Sequence, residues 1–306
     1  MKLRGRFVAL LGALTFILAS CQWASEPDFN AVGELEVYIF GIGRSDAILI
    51  TTENHVVMID TGERQHGSII VEYLLGQEID TIDYLVITHF DNDHVGGAYV
   101  ILDGINVRNV IVPNYSRESN HVRRFEAALE RAQLEPIVPS ETMRFTLDHA
   151  EFMVNPSDLG YTHFARHDED DADEIIAHVS GNDFSIVVSL RHGGNNFLFT
   201  GDVVAGRIQE LLENDEIMNT NYDFLKVPRH GRHNRRIVEF IEQISPNYAV
   251  ITGFHPDLIS YYYPQRPTDR RVIAALEDVR AEMFFTMSVG VRVRSDGRSL
   301  SVEYEK

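Results

Sequence analysis

The feature that most constrains this chain is a ten-residue segment, Thr88–Gly97, with the sequence THFDNDHVGG. It follows a short apolar run, Tyr84–Ile87, which predicts a buried strand. Within six residues the segment offers two imidazoles and two carboxylates, and these are His89, Asp91, Asp93 and His94. Neutral histidine and ionised aspartate are ligands of divalent ions such as Zn²⁺ and Mn²⁺, so the spacing indicates a loop that could supply two adjacent metals. Gly96 and Gly97 are expected to turn the backbone sharply under that site. The alternative interpretation is a solvated polar turn.

The rest of the pattern predicts a layered α/β domain. Strands are expected at 35–40, 47–52, 55–60, 84–87, 110–112, 152–154, 184–190, 196–200, 224–227, 248–252, 282–287, 291–294 and 299–304. Helices are expected at 67–75, 122–134, 207–218, around 237–244, and after a capping Thr268. These are two batches of strands interleaved with helices, and ligand-type residues recur where strands end. Such a layout places a site along one edge of the sheets. The acidic run 167–174 is interpreted as a solvated loop; a Ca²⁺ site or a flap is the alternative.

The N-terminus predicts export and lipidation. Lys2, Arg4 and Arg6 precede an apolar run that is too short to span a bilayer, so residues 1–20 are interpreted as a signal peptide. The run ends LAS before Cys21, the single cysteine, which resembles a bacterial lipobox with Cys21 as the lipidated residue. Residues 21–33 would form a tether and 34–306 the functional domain. An ordinary secreted protein or an uncleaved anchor helix is the alternative.

These features predict a bacterial cell-envelope location, anchored to the membrane through acyl chains on Cys21. The neighbouring Gln22 favours the outer membrane, where one exists. No run after residue 19 is long and apolar enough to cross a membrane, so the chain is not expected to form a channel of its own. Without the signal peptide, 24 basic residues face 46 acidic ones, a net charge of −22. Such a surface repels polyanions at long range, so nucleic acid would need a local basic patch.

Six segments, in order, resemble the metallo-β-lactamase superfamily and, within it, the hydrolase domain of ComEC/Rec2 competence proteins. Residues 40–50 (FGIGRSDAILI) are similar to VGQGDAILI, 59–62 to IDTG, and 88–97 to the T/S-H-x-D-x-D-H-x-G-G loop. Residues 182–185 are similar to N-x-x-S, 198–202 (LFTGD) to LLTGD, and 225–231 (LKVPRHG) to LKVPHHG. The resemblance covers nearly the whole chain after the signal peptide. It implies a four-layer αββα sandwich.

The resemblance also implies a site with two divalent ions, Zn or Mn. His89 and Asp91 would bind one ion, and Asp93, His94 and His230 the other. Asp202 would bridge the two, while Asp60 and Asp46 would orient ligands through hydrogen bonds. The implied catalytic residues are Asp93, Lys226, His233 and Tyr263.

Three departures from the family pattern matter. Arg229 replaces the first histidine of HHG, so His230 is the expected ligand and His233 the fallback. Tyr263 stands where relatives tend to have histidine before proline, which changes a candidate proton donor or substrate contact. No clear counterpart exists for the histidine that often precedes the bridging aspartate. The histidines available for that place are His149, His163, His167, His178 and His192.

The chemistry implied is hydrolysis by a hydroxide that bridges two metals, whose charge also stabilises the transition state. Three cations near His230 favour an anionic phosphodiester substrate, and these are Lys226, Arg229 and Arg232. Arg235 and Arg236 are interpreted as solvating the start of a helix. Nucleic acid and an envelope phosphodiester, such as a teichoic acid or a phospholipid headgroup, are both candidates. The alternative from another class is a non-catalytic envelope binding protein that keeps the fold.

Overall fold

The computed structural model describes residues 32–159, 162–164, 180–256 and 268–305. The strands are β1 (Leu35–Ile39), β2 (Ala47–Thr51), β3 (Val56–Thr61), β4 (Thr81–Val86), β5 (Asn106–Ile111), β6 (Tyr115–Arg117), β7 (Met143–Leu147), β8 (Ala150–Asn155), β9 (Thr162–Phe164), β10 (Val187–His192), β11 (Asn195–Phe199), β12 (Phe224–Lys226), β13 (Tyr248–Ile251), β14 (Glu282–Phe285), β15 (Val291–Ser295) and β16 (Leu300–Tyr304). The helices are α1 (Arg64–Gly76), α2 (Asn92–Val95), α3 (Ala98–Gly104), α4 (Asn120–Ala132), α5 (Ala205–Leu212), α6 (Asp215–Met218), α7 (Ile237–Ile244) and α8 (Arg270–Asp278).

Two seven-stranded mixed sheets form the centre of the fold. The first has the order β16-β15-β1-β2-β3-β4-β5, and the second β14-β13-β12-β11-β10-β8-β7. The C-terminal hairpin β15–β16 completes the sheet of the N-terminal strands, because β15 pairs antiparallel with β1. In the first sheet β3, β4 and β5 run parallel, and in the second β11 to β14 do. Each parallel group therefore brings several strand ends to one edge.

Side chains that alternate along the strands divide the core into three apolar layers. In β1, Val37 points between the two sheets, whereas Tyr38 packs toward α1 and its neighbouring helices. In β12, Phe224 points between the sheets and Leu225 packs toward α7 and α8. Each such side chain contributes about 1.5–3 kcal/mol when fully buried. Helices thus cover the outer face of both sheets, which confirms the expected αββα sandwich.

Most predicted elements are present, but several boundaries differ. The helix expected at 207–218 is two helices, because Asn214 caps the second through hydrogen bonds from the amides of Glu216 and Ile217. Asp269, and not Thr268, caps α8 by accepting from the amide of Arg271. The strand expected from residue 184 begins at Val187, since Gly181–Phe184 form a 3-10 helix. Strands β6, β7 and β9 and helices α2 and α3 were not foreseen.

The acidic run 167–174 and the N-terminal residues 1–31, with Cys21, lie outside the described residues. Within the ranges that the structure describes, no helix has the length and apolar content needed to cross a membrane.

Candidate metal centre

The ends of parallel strands from both sheets meet at one edge and carry the ligand-type residues. Asp60 lies at the end of β3, and the loop with His89 and His94 follows β4. Asp202 follows β11 and His230 follows β12. One cluster contains all but one of the ligand-type residues predicted from the motifs, and its members are His89, His94, His230, Asp46, Asp60, Asp93 and Asp202. Asp91 lies at the margin of this cluster.

The loop after β4 is held by the carboxylate of Asp60. Its two oxygens accept hydrogen bonds from the Thr88 amide at 2.8 Å and the Thr88 hydroxyl at 2.7 Å. The Thr61 hydroxyl donates to the carbonyl oxygen of His94 at 2.7 Å, which ties the loop to β3 a second time. Gly97 lies so close to the Thr61 carbonyl that a Cβ there would collide with it. Gly96 and Gly97 are therefore needed for close backbone approach; their φ angles are those of a helix, and not of the sharp turn that the sequence suggested.

Each of the three imidazoles in this cluster has its Nδ1 atom beside a fixed partner. His94 Nδ1 lies 2.7 Å from Asp60 Oδ2, and His230 Nδ1 lies 3.0 Å from the carbonyl and hydroxyl oxygens of Thr252. His89 Nδ1 lies 3.1 Å from the hydroxyl of Thr88. Such contacts orient a ligating ring and select the tautomer that leaves Nε2 available. The partners Thr88 and Thr252 were missed by sequence reasoning, although each directly follows a predicted strand or ends one.

The other nitrogens of these rings converge on acidic oxygens. Asp202 lies between two of the rings, with Oδ1 3.5 Å from His94 Nε2 and Oδ2 3.4 Å from His230 Nε2. His230 Nε2 also lies 3.2 Å from Asp93 Oδ2. Among the described residues, four groups of three side chains have ligand atoms within 4.8 Å of one another. They are His89–His94–Asp202, Asp93–His94–His230, Asp46–Asp202–His230 and Asp46–Asp60–His94.

Besides Asp46 Oδ2, which is paired with the Lys226 ammonium, four buried polar atoms in this cluster make no hydrogen bond of good geometry, although other ligand-type atoms lie 3.2–3.5 Å away. They are the Nε2 atoms of His89, His94 and His230 and the Oδ1 atom of Asp202. Buried polar atoms are nearly always hydrogen-bonded, and an isolated exception needs an explanation. Here the four occur together, are all of metal-ligand type, and have their rings already oriented from the other side. The donor set therefore fits a divalent ion with nitrogen and oxygen ligands.

The electrostatics of the cluster also favour a cation. Burial alone lowers the pKa of a histidine, but Asp60, Asp202 and Asp46 outweigh it and hold the pKa of His94 well above its ordinary value. Asp202 has the same effect on His230. Although burial raises the pKa of a carboxyl group, these imidazoles hold the pKa of Asp202 well below its usual range.

Lys226 does not lie where the sequence led us to expect it. The expectation was a cation facing an anionic substrate, but the side chain is fully buried. Its ammonium pairs with Asp46 and donates to the carbonyl oxygen of Gly201 at 3.0 Å. It lies 3.7 Å from Asp202 Oδ1. Lys226 therefore neutralises carboxylates of the cluster itself, and none of its side chain is exposed to a substrate.

Asp91 is placed differently from the other expected ligands. One of its oxygens pairs with the guanidinium of Arg117, at the end of β6, and the other lies 3.4 Å from His89 Nε2. It belongs to none of the four groups above. Arg117 was missed because nothing in its local sequence relates a short strand to a loop 26 residues earlier. The residue thought to replace a histidine ligand is thus already engaged by an arginine.

The turn after β12 aims His230 into the cluster. Arg229 and His230 have φ angles of 52° and 54°, and Gly231 follows with 76°. Non-glycine residues seldom adopt positive φ, and each costs of order 1 kcal/mol or more, so surrounding contacts must impose the turn. One such contact is the hydrogen bond from the Arg229 amide to the carbonyl oxygen of Gly201, at 3.3 Å. Arg229 and Arg232 are partly exposed beside His230, where cations were expected.

The remaining candidates lie elsewhere or outside the described residues. His233 is partly exposed and belongs to none of the four ligand groups. Tyr263 lies outside the described residues, as do the side chains of His163, His167 and His178. His149 is exposed in the turn between β7 and β8, and His192 bonds Ser295 and Val32. Neither supplies the histidine expected before Asp202.

Comparison with known proteins supports the same family. The family model described as the metallo-beta-lactamase superfamily matches residues 40–255. The ComE operon protein 3 of Bacillus subtilis is 26% identical over 244 residues, which are 74% of this chain and 29% of that protein. The competence protein ComA of Neisseria gonorrhoeae is 25% identical over 252 residues, 81% of this chain and 31% of that protein. The chain therefore spans less than a third of the length of these relatives.

A solved structure shows the same fold. The metallo-beta-lactamase fold protein YhfI from Bacillus subtilis superposes with a TM-score of 0.52 at 11% identity, covering 86% of this chain and 100% of that one. Together with the match over residues 40–255 and the ordered strand-end motifs, this decides the assignment. The chain belongs to the metallo-β-lactamase superfamily, a family of metal-dependent hydrolases, and its histidine and aspartate clusters are able to bind metal ions.

Proposed function

We propose that this protein is a metal-dependent phosphodiesterase of the bacterial cell envelope. The observation that carries the proposal is the group of four buried ligand atoms on His89, His94, His230 and Asp202 that make no hydrogen bond. A protein that kept this fold only for binding would have no reason to bury such atoms without partners.

In this proposal the ligands are divided between two divalent ions, Zn²⁺ or Mn²⁺. His89 with Asp202 would serve one ion, and Asp93, His94 and His230 the other. When bound, such ions lower the pKa of a water and polarise a phosphoryl oxygen. Asp202 would be suited to serve both ions, because its ligand atoms group with those of His89 in one set and with those of His230 in another.

The residues around the ligands have separate tasks. Asp60 and Thr252 hold the rings of His94 and His230 from their far side. Lys226 offsets part of the negative charge of Asp46, so that the cluster stays folded. Asp93 has a side chain 26% exposed, so it lies toward the mouth of the site. Its pKa is about 2, because contacts with His230 and His94 outweigh the effect of burial, and it stays ionised at neutral pH.

The choice of a phosphodiester rests on the cations beside the ligands. Arg229 and Arg232 are partly exposed on the strained turn that carries His230. One guanidinium group can bind two oxygens of the same phosphate. The similar proteins named for competence and recombination make nucleic acid one candidate substrate. An envelope phosphodiester remains the other.

The location also belongs to the proposal. Residues 1–20 would be removed as a signal peptide, Cys21 would carry the lipid, and residues 34–306 would form the hydrolase domain. The hydrolase domain would then meet its substrate at a membrane surface.

The second candidate function is a non-catalytic envelope binding protein. The observation that favours it is the pairing of Asp91 with Arg117, which occupies a residue expected to bind metal.

One experiment separates the two. Metal content is counted in the purified chain, and turnover of bis(p-nitrophenyl) phosphate is followed with added Mn²⁺ or Zn²⁺. The double variant Asp93→Ala/His94→Ala is compared with His149→Gln, an exposed histidine outside the cluster. Bound metal and turnover that only the double variant loses support the hydrolase. A chain without metal and without turnover supports the binding protein.

A further inference from the structure

A cleft on the outer helical layer has a charge opposite to that of the protein. It lies between α1, α3 and α4 and has a volume of about 500 Å³. Four arginines line it, Arg64, Arg123, Arg124 and Arg131, against one acidic residue, Asp103. The chain as a whole carries a net charge of −19, so four arginines around one cleft form a local basic patch of the kind that a polyanion requires.

Most of this charge is available to a ligand. Arg131 is paired with Asp103 at 2.9 Å, which neutralises one cation. Arg64, Arg123 and Arg124 are exposed and form no ion pair within the described part of the chain. The Arg123 guanidinium donates to the side-chain oxygen of Asn120, a neutral partner that leaves its charge in place.

The cleft also contains an aromatic ring. The guanidinium carbon of Arg124 lies 5.9 Å from the centre of the Tyr99 ring, which is half-buried in the wall. The guanidinium lies over the face of the ring, and turning it toward a phosphate exposes that face to a base. A cation for the phosphates and an aromatic ring for the bases are the two contacts with which proteins bind single-stranded nucleic acid.

The cleft adjoins the loop of the metal ligands. Arg64 begins α1 just after β3, and its backbone nitrogen lies next to Gly96 of the ligand loop. On the other side, the ring of His121 in α4 lies 2.9 Å from the carbonyl oxygen of Phe90. From Asn120 to Arg131, α4 carries the lining residues along about 16 Å, which is long enough for several phosphates of one strand.

We propose that this cleft is a second anion-binding site, which holds a single-stranded nucleic acid beside the segment at the metal centre. The inference rests on the proposed phosphodiesterase function. It narrows the proposed substrate from any phosphodiester to a nucleic acid strand several nucleotides long. Arg123 and Arg124 bind phosphates, and Tyr99 stacks against a base.

The test measures binding and not cleavage, so it can fail independently of the hydrolase proposal. A fluorescently labelled oligothymidylate of about 20 nucleotides is titrated with the purified chain at several salt concentrations. The length of the oligonucleotide is checked afterwards to show that it was not cleaved. The variant Arg123→Gln/Arg124→Gln is compared with Arg191→Gln/Arg298→Gln, which removes the same charge from exposed positions far along the chain.

The expected result is an affinity about tenfold lower for the cleft variant at low salt, with the control close to the parent protein. Each lost phosphate contact reduces the slope of log K against log salt by about 0.7, so the cleft variant loses about 1.4. Equal losses in both double variants would mean that only the overall charge matters, and this overturns the site.

A third variant tests the aromatic contact. Tyr99→Leu keeps an apolar side chain but removes the stacking face, and it is expected to lower oligothymidylate affinity about fivefold or more while leaving inorganic polyphosphate binding unchanged. If Tyr99→Leu binds the oligonucleotide as well as the parent does, the assignment to nucleic acid is overturned.

Discussion

Asp60 Oδ2 lies 2.7 Å from Nδ1 of His94, and both side chains are buried. The same carboxylate accepts two hydrogen bonds from Thr88, so one residue fixes both the ligand loop and the ring that the loop carries. Asp60 has a φ angle of 57°, which shows that this arrangement overrides the usual backbone preference.

Asp60→Asn is therefore expected to weaken metal binding about 10- to 100-fold, because the amide no longer selects the tautomer of His94. Affinity is measured by competition with a chelator of known strength. The matched control is Asp83→Asn. The carboxylate of Asp83 lies near the other end of β3 and β4, where it is bonded to His55 and the Val56 amide. Equal affinity in Asp60→Asn and the parent would contradict the orienting role.

Asp91 and Asp202 provide a matched comparison of two aspartates. Because Arg117 occupies one oxygen of Asp91, Asp91→Asn is expected to change metal affinity less than about threefold. Asp202→Asn is expected to weaken it about 100-fold or more, since its unpartnered Oδ1 belongs to the ligand cluster. Titration calorimetry with Mn²⁺ measures both, and a large loss in Asp91→Asn would restore Asp91 as a ligand.

Lys226→Met is expected to destabilise the metal-free protein by about 3–5 kcal/mol, because it leaves the buried carboxylate of Asp46 without its cation. Adding Asp46→Asn to the same chain is expected to recover a large part of that loss, since no unpaired charge then remains. Urea unfolding measures both variants. A Lys226→Met protein as stable as the parent would show that the buried pair is not structural.

The buried ring of His192 is expected to contribute to the pH dependence of folding stability. The buried ring joins the two sheets, with Nδ1 2.8 Å from the Ser295 hydroxyl and Nε2 3.2 Å from the Val32 carbonyl oxygen. Burial lowers the pKa of His192 below its value in the unfolded chain. The unfolded state therefore binds the proton first, and the contribution of the neutral ring is present above pH ~6.5 and is lost as the pH falls toward the folded-state pKa.

The variant His192→Gln isolates this contribution. It is expected to be about 1–2 kcal/mol less stable than the parent at pH 7.5, with a smaller difference at pH 5.5. Urea unfolding at the two pH values measures the difference, and His149→Gln serves as the exposed control. A difference that is the same at both pH values would contradict the assignment.

Cys21→Ser tests the anchor. The parent is expected in the membrane fraction, and the variant in the soluble fraction, because a single thiol would carry the acyl chains. Mass spectrometry of the mature N-terminus checks the modification directly. A variant that still sediments with membranes would favour an uncleaved anchor helix.

Local patterns were sufficient for much of the fold. Apolar periodicity correctly predicted helices at 122–134 and around 237–244, which the structure has as α4 and α7 with Phe125 and Phe240 in the core, and alternating residues located most strands. Boundaries failed where one side chain decided them, as with the cap at Asn214, which divides α5 from α6.

The sequence by itself determined which residue types could hold a metal and that they follow strands, because the ligand loop and the strand pattern are both short-range features. Only the tertiary structure decided their partners. Lys226 turns inward to Asp46, Arg117 reaches Asp91, and Thr252 supports His230, although these pairs lie 180, 26 and 22 residues apart. Such contacts depend on how two sheets pack and which strand ends meet, and no local pattern carries that information.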